Sequence, residues 1–223
     1  MSGRAVAALI SLILLAPAPV LAAEPLRVCL DPNNPPFSMA SSGRKGIYYE
    51  VAELLAERLQ RPLAVVWWPT DLGKRAIRLQ LLGGQCDVML GVPFVKGLMG
   101  PHLLVAGPLL ELGYALAMRS PEMIETPAAL RGRKVAVVFN TPAQNALATL
   151  DGIETLVFRQ PEQAVEALLE GRAEIAFVWD AVAAWYDQER EDVELRLVRV
   201  DGPQMRWQSA AGVARENREL RDR

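Results

Sequence analysis

Residues 26–38 read Leu26-Arg27-Val28-Cys29-Leu30-Asp31-Pro32-Asn33-Asn34-Pro35-Pro36-Phe37-Ser38. The first five predict a buried strand. The Pro- and Asn-rich segment after them cannot be helical, so it predicts a rigid polar loop at the C-terminal end of that strand. A helix over 47–59 follows, with Val51, Leu54, Leu55 and Leu59 on one stripe, then a strand over 63–68 stopped by Pro69. A helix over 74–82, ended by Gly83-Gly84, leads into a strand over 87–90. Strand–helix–strand–helix–strand in this order predicts parallel pairing in a 2-1-3 arrangement with right-handed crossovers.

The pattern breaks between Gly91 and Gly107, where Gly and Pro punctuate the chain and predict loop, and a long strand-like stretch follows over 109–119. It then restarts. Strands are predicted over 134–139, 155–158, 174–179 and 194–200, helices over 142–150, 161–170 and 181–189, and a last strand over 209–214. Two similar α/β halves in series predict two lobes with a cleft between them. The first lobe takes 23–110 plus 209–223 and the second 111–208. In open parallel sheets ligands bind beyond the strand C-termini, where the polar loops after Leu30 and Phe139 lie.

Composition narrows the function classes. With 51% hydrophobic residues and a net charge of −2, the chain is globular rather than disordered. Lys and Arg do not outnumber Asp and Glu, which leaves no electrostatic footprint for nucleic acid. Arg4 is the only charge before Glu24, and the apolar run 5–15 is too short to span a bilayer. Pro17, Pro19 and Val20-Leu21-Ala22 follow it, which predicts a secretory signal, 1–22, cleaved after Ala22; an N-terminal membrane anchor is the alternative. The remaining chain is expected to be exported to the periplasm, without a membrane span, and monomeric. Cys29 and Cys86 are the only cysteines. An even count in an oxidising compartment predicts one disulfide, and two buried free thiols are the alternative. No CxxC is present, so thiol redox catalysis and a structural zinc site have no support. His102 stands alone and reads as a surface residue, so no metal is expected.

The stretch 26–38 resembles the opening of family 3 periplasmic solute-binding proteins, a strand and then a loop ending in Pro-Phe. Gly83–Asp87, Leu130–Val137, Asn140–Ala143 and Gly171–Asp180 are similar to further segments of that family, in order, so the resemblance covers nearly all of 26–214. It implies the type II two-lobe α/β (Venus-flytrap) periplasmic-binding-protein fold. A narrower resemblance lies in Cys29-x-Asp31-Pro32-Asn33-Asn34, Trp67-Trp68-Pro69 and Cys86–Pro93. These are similar to the substrate-binding-like proteins associated with quinoprotein alcohol dehydrogenases, the methanol oxidation J protein type. That likeness implies a similarly placed Cys pair. It also implies an accessory role toward a pyrroloquinoline-quinone dehydrogenase or its cytochrome, with no cofactor of the protein's own. A transport role is the alternative: the substrate-binding subunit of an ABC transporter for a small polar solute other than a standard amino acid. A third reading is a cleft-carboxylate dehydratase, with Asp31 and Asp180 as the acid–base candidates. No G-x-S-x-G, HExxH, P-loop or G-x-G-x-x-G motif is present, and no enzyme is expected.

The resemblance also assigns candidate cleft residues: Asp31, Asn33, Asn34, Phe37, Lys96, Thr141 and Asp180. Amino-acid-binding members carry Thr-x-x-Arg after the third strand, and that Arg clamps the substrate carboxylate. Here 93–99 reads Pro93-Phe94-Val95-Lys96-Gly97-Leu98-Met99, with Lys96 as the only Lys or Arg before Arg119. Lys does not reproduce a bidentate fork, so a standard α-amino-acid site is not expected. Asp180 matches a position that takes a ligand ammonium, or else caps a helix. Thr141-Pro142-Ala143-Gln144 reads as a capping box with Pro at its first turn, or as an anion site. Adjacent Trp67 and Trp68 predict one core and one surface ring, and Trp185 and Tyr186 read as packing. The family continues past its last strand with helices on the first lobe. The charged stretch 215–223 starts a helix without finishing one, so either the sequence is truncated or that lobe leaves apolar surface uncovered.

Overall fold

The computed structural model describes residues 23–70 and 73–223; the expected signal segment 1–22 lies outside the described residues. The first half runs β1 (Leu26–Leu30), a two-residue hairpin β2 (Asn33–Asn34) and β3 (Ser38–Met39), α1 (Ile47–Arg58), β4 (Leu63–Trp67) and α2 (Lys74–Ala76). A wider π turn over Ile77–Leu81 extends α2 before β5 (Val88–Pro93), β6 (Leu98–Pro101) and β7 (Leu103–Arg119). The second half runs β8 (Lys134–Val138), α3 (Pro142–Ala148), β9 (Glu154–Phe158), α4 (Pro161–Leu169), β10 (Ile175–Trp179), α5 (Asp180–Glu189) and β11 (Leu195–Arg199). β12 (Arg206–Ala214) returns to the first half, and α6 (Arg218–Asp222) follows it.

The strands form one mixed sheet in the order β4-β1-β5-β12-β7-β10-β8-β9, with β11 also on β7. Each half holds a parallel trio in the expected 2-1-3 order, β4-β1-β5 and β9-β8-β10. β7 joins them. Its first part pairs with β12 from Leu103 to Gly113, and its last part pairs with β10 and β11 from Tyr114 to Arg119. β5 runs in the same direction as β7, and its end at Pro93 is level with Leu110 through Ser209. β10 runs against β7 and ends at Trp179 opposite Tyr114. The C-terminal ends of both trios therefore converge on the middle of β7, where their loops face one another.

Several elements differ from the sequence reading. α1 fully buries Tyr48, Ala52 and Ala56; Val51, Leu55 and Leu59 of the expected stripe pack half-buried against the same core, and Leu54 is 59% exposed. Small residues let the helix lie close on the sheet, and the larger ones spill to its flanks. The Gly91–Gly107 segment is the end of β5, all of β6 and the start of β7; Gly97 and Gly100 serve the turn with positive φ while the strands continue around it. Gly91, also at positive φ, admits the Tyr48 ring, because a Cβ there would lie 2.7 Å from that ring. Trp67 and Trp68 are both half-buried, because β4 is an edge strand with one side of its hydrogen bonding open.

Cys29 and Cys86 are disulfide-bonded, with Cα atoms 5.7 Å apart. They lie in an apolar cluster with Ile77, Leu81, Met89 and Val92. Thiol labelling of denatured, unreduced protein is expected to modify neither cysteine; two labelled thiols would contradict the bond.

Candidate functional site

At the end of β1, the Asp31 carboxylate accepts hydrogen bonds from the Thr70 N–H (2.6 Å) and hydroxyl (2.8 Å) and from the Asn33 N–H (2.9 Å). It thus pins the first loop to the end of β4. Asn33 and Asn34 pair with Met39 and Ser38 in the small hairpin. Phe37 is 2% exposed and stacks on Tyr48 with centroids 5.2 Å apart, so it supports the loop from beneath. Lys96 is exposed in the turn between β5 and β6, next to the exposed side chains of Phe94 and Val95.

In the second half, Thr141 caps α3: its hydroxyl accepts from the Gln144 N–H (3.2 Å) and donates to the Val138 carbonyl (2.7 Å). The Gln144 side-chain oxygen accepts in turn from the Asn140 N–H at 2.6 Å, so the Thr-Pro-x-Gln segment works as a cap. Asp180 is the first helical residue of α5, and Trp179 takes the cap position expected for it. Its carboxylate accepts from the Ala181 N–H (2.8 Å) and the Gly113 N–H (3.3 Å) and pairs with Arg199 at 3.0 Å. These partners tie α5 to β7 and β11.

The second half also carries a buried carboxyl that the sequence reading did not single out. Glu162, in the first turn of α4, lies at the C-terminal end of the second trio and is 6% exposed. Burial pushes its carboxyl up to about 7, with repulsion from Asp31 and Glu166 adding to the effect. The Tyr186 hydroxyl donates to Glu166 at 3.4 Å, and burial with the nearby carboxylates pushes its own ionisation above the ordinary tyrosine range. By its own sequence Pro161-Glu162 is an ordinary helix start. The signal that finds it is topological: it closes the loop after β9, a third strand end on the ligand side.

A groove of about 770 Å³ separates the halves, with Pro36, Met39 and Ile47 on one wall and Ala181, Trp185 and Gln188 on the other. Arg44 bridges it, pairing with Glu189 at 2.6 Å and lying 5.6 Å over the Trp185 ring. Trp185 therefore acts at the contact between the halves, while Tyr186 packs against the apolar core. Among the described residues no group of three or more His, Cys, Asp or Glu could hold a metal ion, and no helix is long and apolar enough to cross a membrane.

The chain matches no protein-family model and no curated protein. Solved structures do share its architecture. An ancestral cationic amino acid solute-binding protein is 22% identical with a TM-score of 0.72, covering 88% of this chain and 85% of that one. The arginine-bound form of a truncated ArgBP from T. maritima is 24% identical with a TM-score of 0.66, covering 88% and 91%. The substrate-binding protein of an amino acid ABC transporter is 19% identical with a TM-score of 0.67, covering 88% of both chains. The fold is that of the type II periplasmic binding proteins, two α/β lobes with a cleft between them.

The raised Glu162 carboxyl sets a pH signature. Between its ordinary value of 4.5 and about 7, the folded protein keeps a proton that the unfolded chain releases. Stability therefore falls as pH rises through that window, by up to about 3 kcal/mol. Glu162→Gln removes this cost. Urea unfolding is expected to find the variant more stable than wild type at pH 8, with the difference vanishing near pH 4. A constant difference across this range would contradict the assignment.

Proposed function

We propose that the chain is a periplasmic solute-binding protein of the family 3 type, the binding subunit of an ABC importer for a small polar solute other than a standard α-amino acid. The lobes are 23–110 with 209–223, and 111–208, and the solute is held where the strand ends converge. The neighbours' descriptions as binding proteins and the signal-like segment 1–22 support binding and export.

One observation carries the exclusion of α-amino acids: the Asp180 carboxylate, which would receive the ammonium, is already occupied by Arg199 and two backbone N–H groups. The carboxylate has no fork either, since Lys96 is the only Lys or Arg in 93–99. Charge-assisted hydrogen bonds contribute about 1.5–3 kcal/mol each, so two missing ones weaken binding by a factor on the order of 10²–10⁴. Asp31 and Asp180 are both held by structural partners, which also weighs against the dehydratase reading.

The order of the Cys29, Trp67 and Cys86 motifs supports a second reading, an accessory of a periplasmic quinoprotein alcohol dehydrogenase or its cytochrome. The half-exposed face of β4, with Leu63, Val65 and Trp67 beside Tyr49, is a surface such a partner could use. Calorimetric titration with the standard amino acids is expected to show no micromolar binding; micromolar binding of glycine or alanine would overturn the main reading. Deleting the gene is expected to leave dye-linked alcohol dehydrogenase activity intact, and its loss would favour the accessory role.

A further inference from the structure

We propose that Arg44 is a clasp between the lobes: by pairing with Glu189 and lying over Trp185 across the groove, it sets the balance between a closed and an open arrangement of the two halves. The inference goes beyond the solute-binding reading, because it concerns the halves themselves and holds whatever solute lies between them.

The first half presents Arg44 on a braced loop. Between β3 and α1, the Met39 N–H donates to the Lys45 carbonyl at 3.0 Å, and the Ile47 and Tyr48 N–H groups donate to the Pro36 and Phe37 carbonyls at 3.1 and 2.7 Å. The Ser42 hydroxyl accepts from the Arg44 N–H at 2.9 Å and donates to the Arg44 carbonyl. Gly46 is at positive φ, and a Cβ there would lie 2.6 Å from the Phe37 carbonyl oxygen, so the loop returns close over the chain before it. With the backbone fixed in advance, only the Arg44 side chain, 72% exposed, has to be ordered when the contact forms.

The second half offers a matching face. Trp185 and Glu189 are four residues apart, so they lie on the same side of α5. Glu189 is the last helical residue, where the free carbonyl groups already carry negative partial charge, and the last turn has no basic residue of its own. Arg190, next in the chain, is turned to Asp192 at 2.8 Å. Glu189 therefore takes its cation from the other half. Lys45, the other cation on the groove, lies 5.9 Å over the Tyr49 ring of its own half and is no substitute. Among the described residues the Arg44–Glu189 pair is the only ion pair that joins 23–110 and 209–223 to 111–208. The groove it crosses leaves the halves unpacked at that point, and such bodies shift against each other unless a contact restrains them. An exposed ion pair and a cation–π contact each contribute little, so the clasp biases the balance without locking it. Together they are expected to shift the closed-to-open ratio at least about threefold.

The test is double electron–electron resonance between nitroxide labels on Arg58→Cys of α1 and Gln163→Cys of α4, both exposed positions in opposite halves. The native cysteines are bonded to each other, so the labels go to the introduced ones. Against the labelled parent, Arg44→Ala is expected to raise the ratio of the longer-distance to the shorter-distance population at least about threefold, and Arg44→Glu to raise it further. Exchanging the charges, Arg44→Glu with Glu189→Arg, is expected to return the distribution toward the parent. An Arg44→Ala distribution equal to the parent's, or an exchanged pair no closer to the parent than Arg44→Glu alone, would overturn the clasp. Neither outcome bears on solute binding, which the amino-acid titration judges separately.

Discussion

The pairing of β7 with β12, and its continuation beyond Gly113 onto β10 and β11, is the constraint on which the rest of the molecule depends. A single strand of 17 residues hydrogen-bonds to one half with its first part and to the other with its last. Because β5 follows its direction and β10 opposes it, the C-terminal ends of both parallel trios must meet at its middle. The loops after β1, β8, β9 and β10 then have one place to face. Asp31, Thr141, Glu162 and Asp180 are carried by these loops and by the helices that follow them. Buried Tyr114, Leu116 and Met118 anchor the crossing in the second half, and Leu112 belongs to the apolar cluster that also holds Leu26 and Val28 of the first.

Burial of the Glu162 carboxyl outweighs the ion pair that bridges the halves. The Arg44–Glu189 pair is exposed, and such a pair contributes at most about 1 kcal/mol. Ionising Glu162 in its buried position costs up to about 3 kcal/mol, which is larger. Protonation of Glu162 therefore weighs more on stability than the bridging pair does.

Much of the fold was legible in the sequence, because β-strand runs, Pro-bearing helix starts and Gly helix ends are local signals. The strands at Leu26 and Lys134, the cap at Thr141 and the helix closed by Gly171 all form where those signals put them. Tertiary packing decided the rest. The fully buried line of α1 is Tyr48, Ala52 and Ala56, with Val51, Leu55 and Leu59 half-buried beside it, because the two alanines let the helix lie close to the sheet. The 91–107 segment was hidden because Gly and Pro mark turns only when neighbouring strands do not hold the backbone extended. The candidate site was legible only in part. Asp180 opens α5 instead of capping it, and its neutralising partner, Arg199, comes from β11 and cannot be seen from local sequence. Glu162 was invisible for the same reason, since its burial is made by tertiary packing that local sequence does not show.

The most direct test of this arrangement is native-state amide hydrogen exchange along β7. Slow exchange is expected on both sides of Gly113, for the amides of 103–113 that bond to β12 and for those of 114–119 that bond to β10 and β11. Fast exchange throughout either part would contradict a single strand that holds both halves.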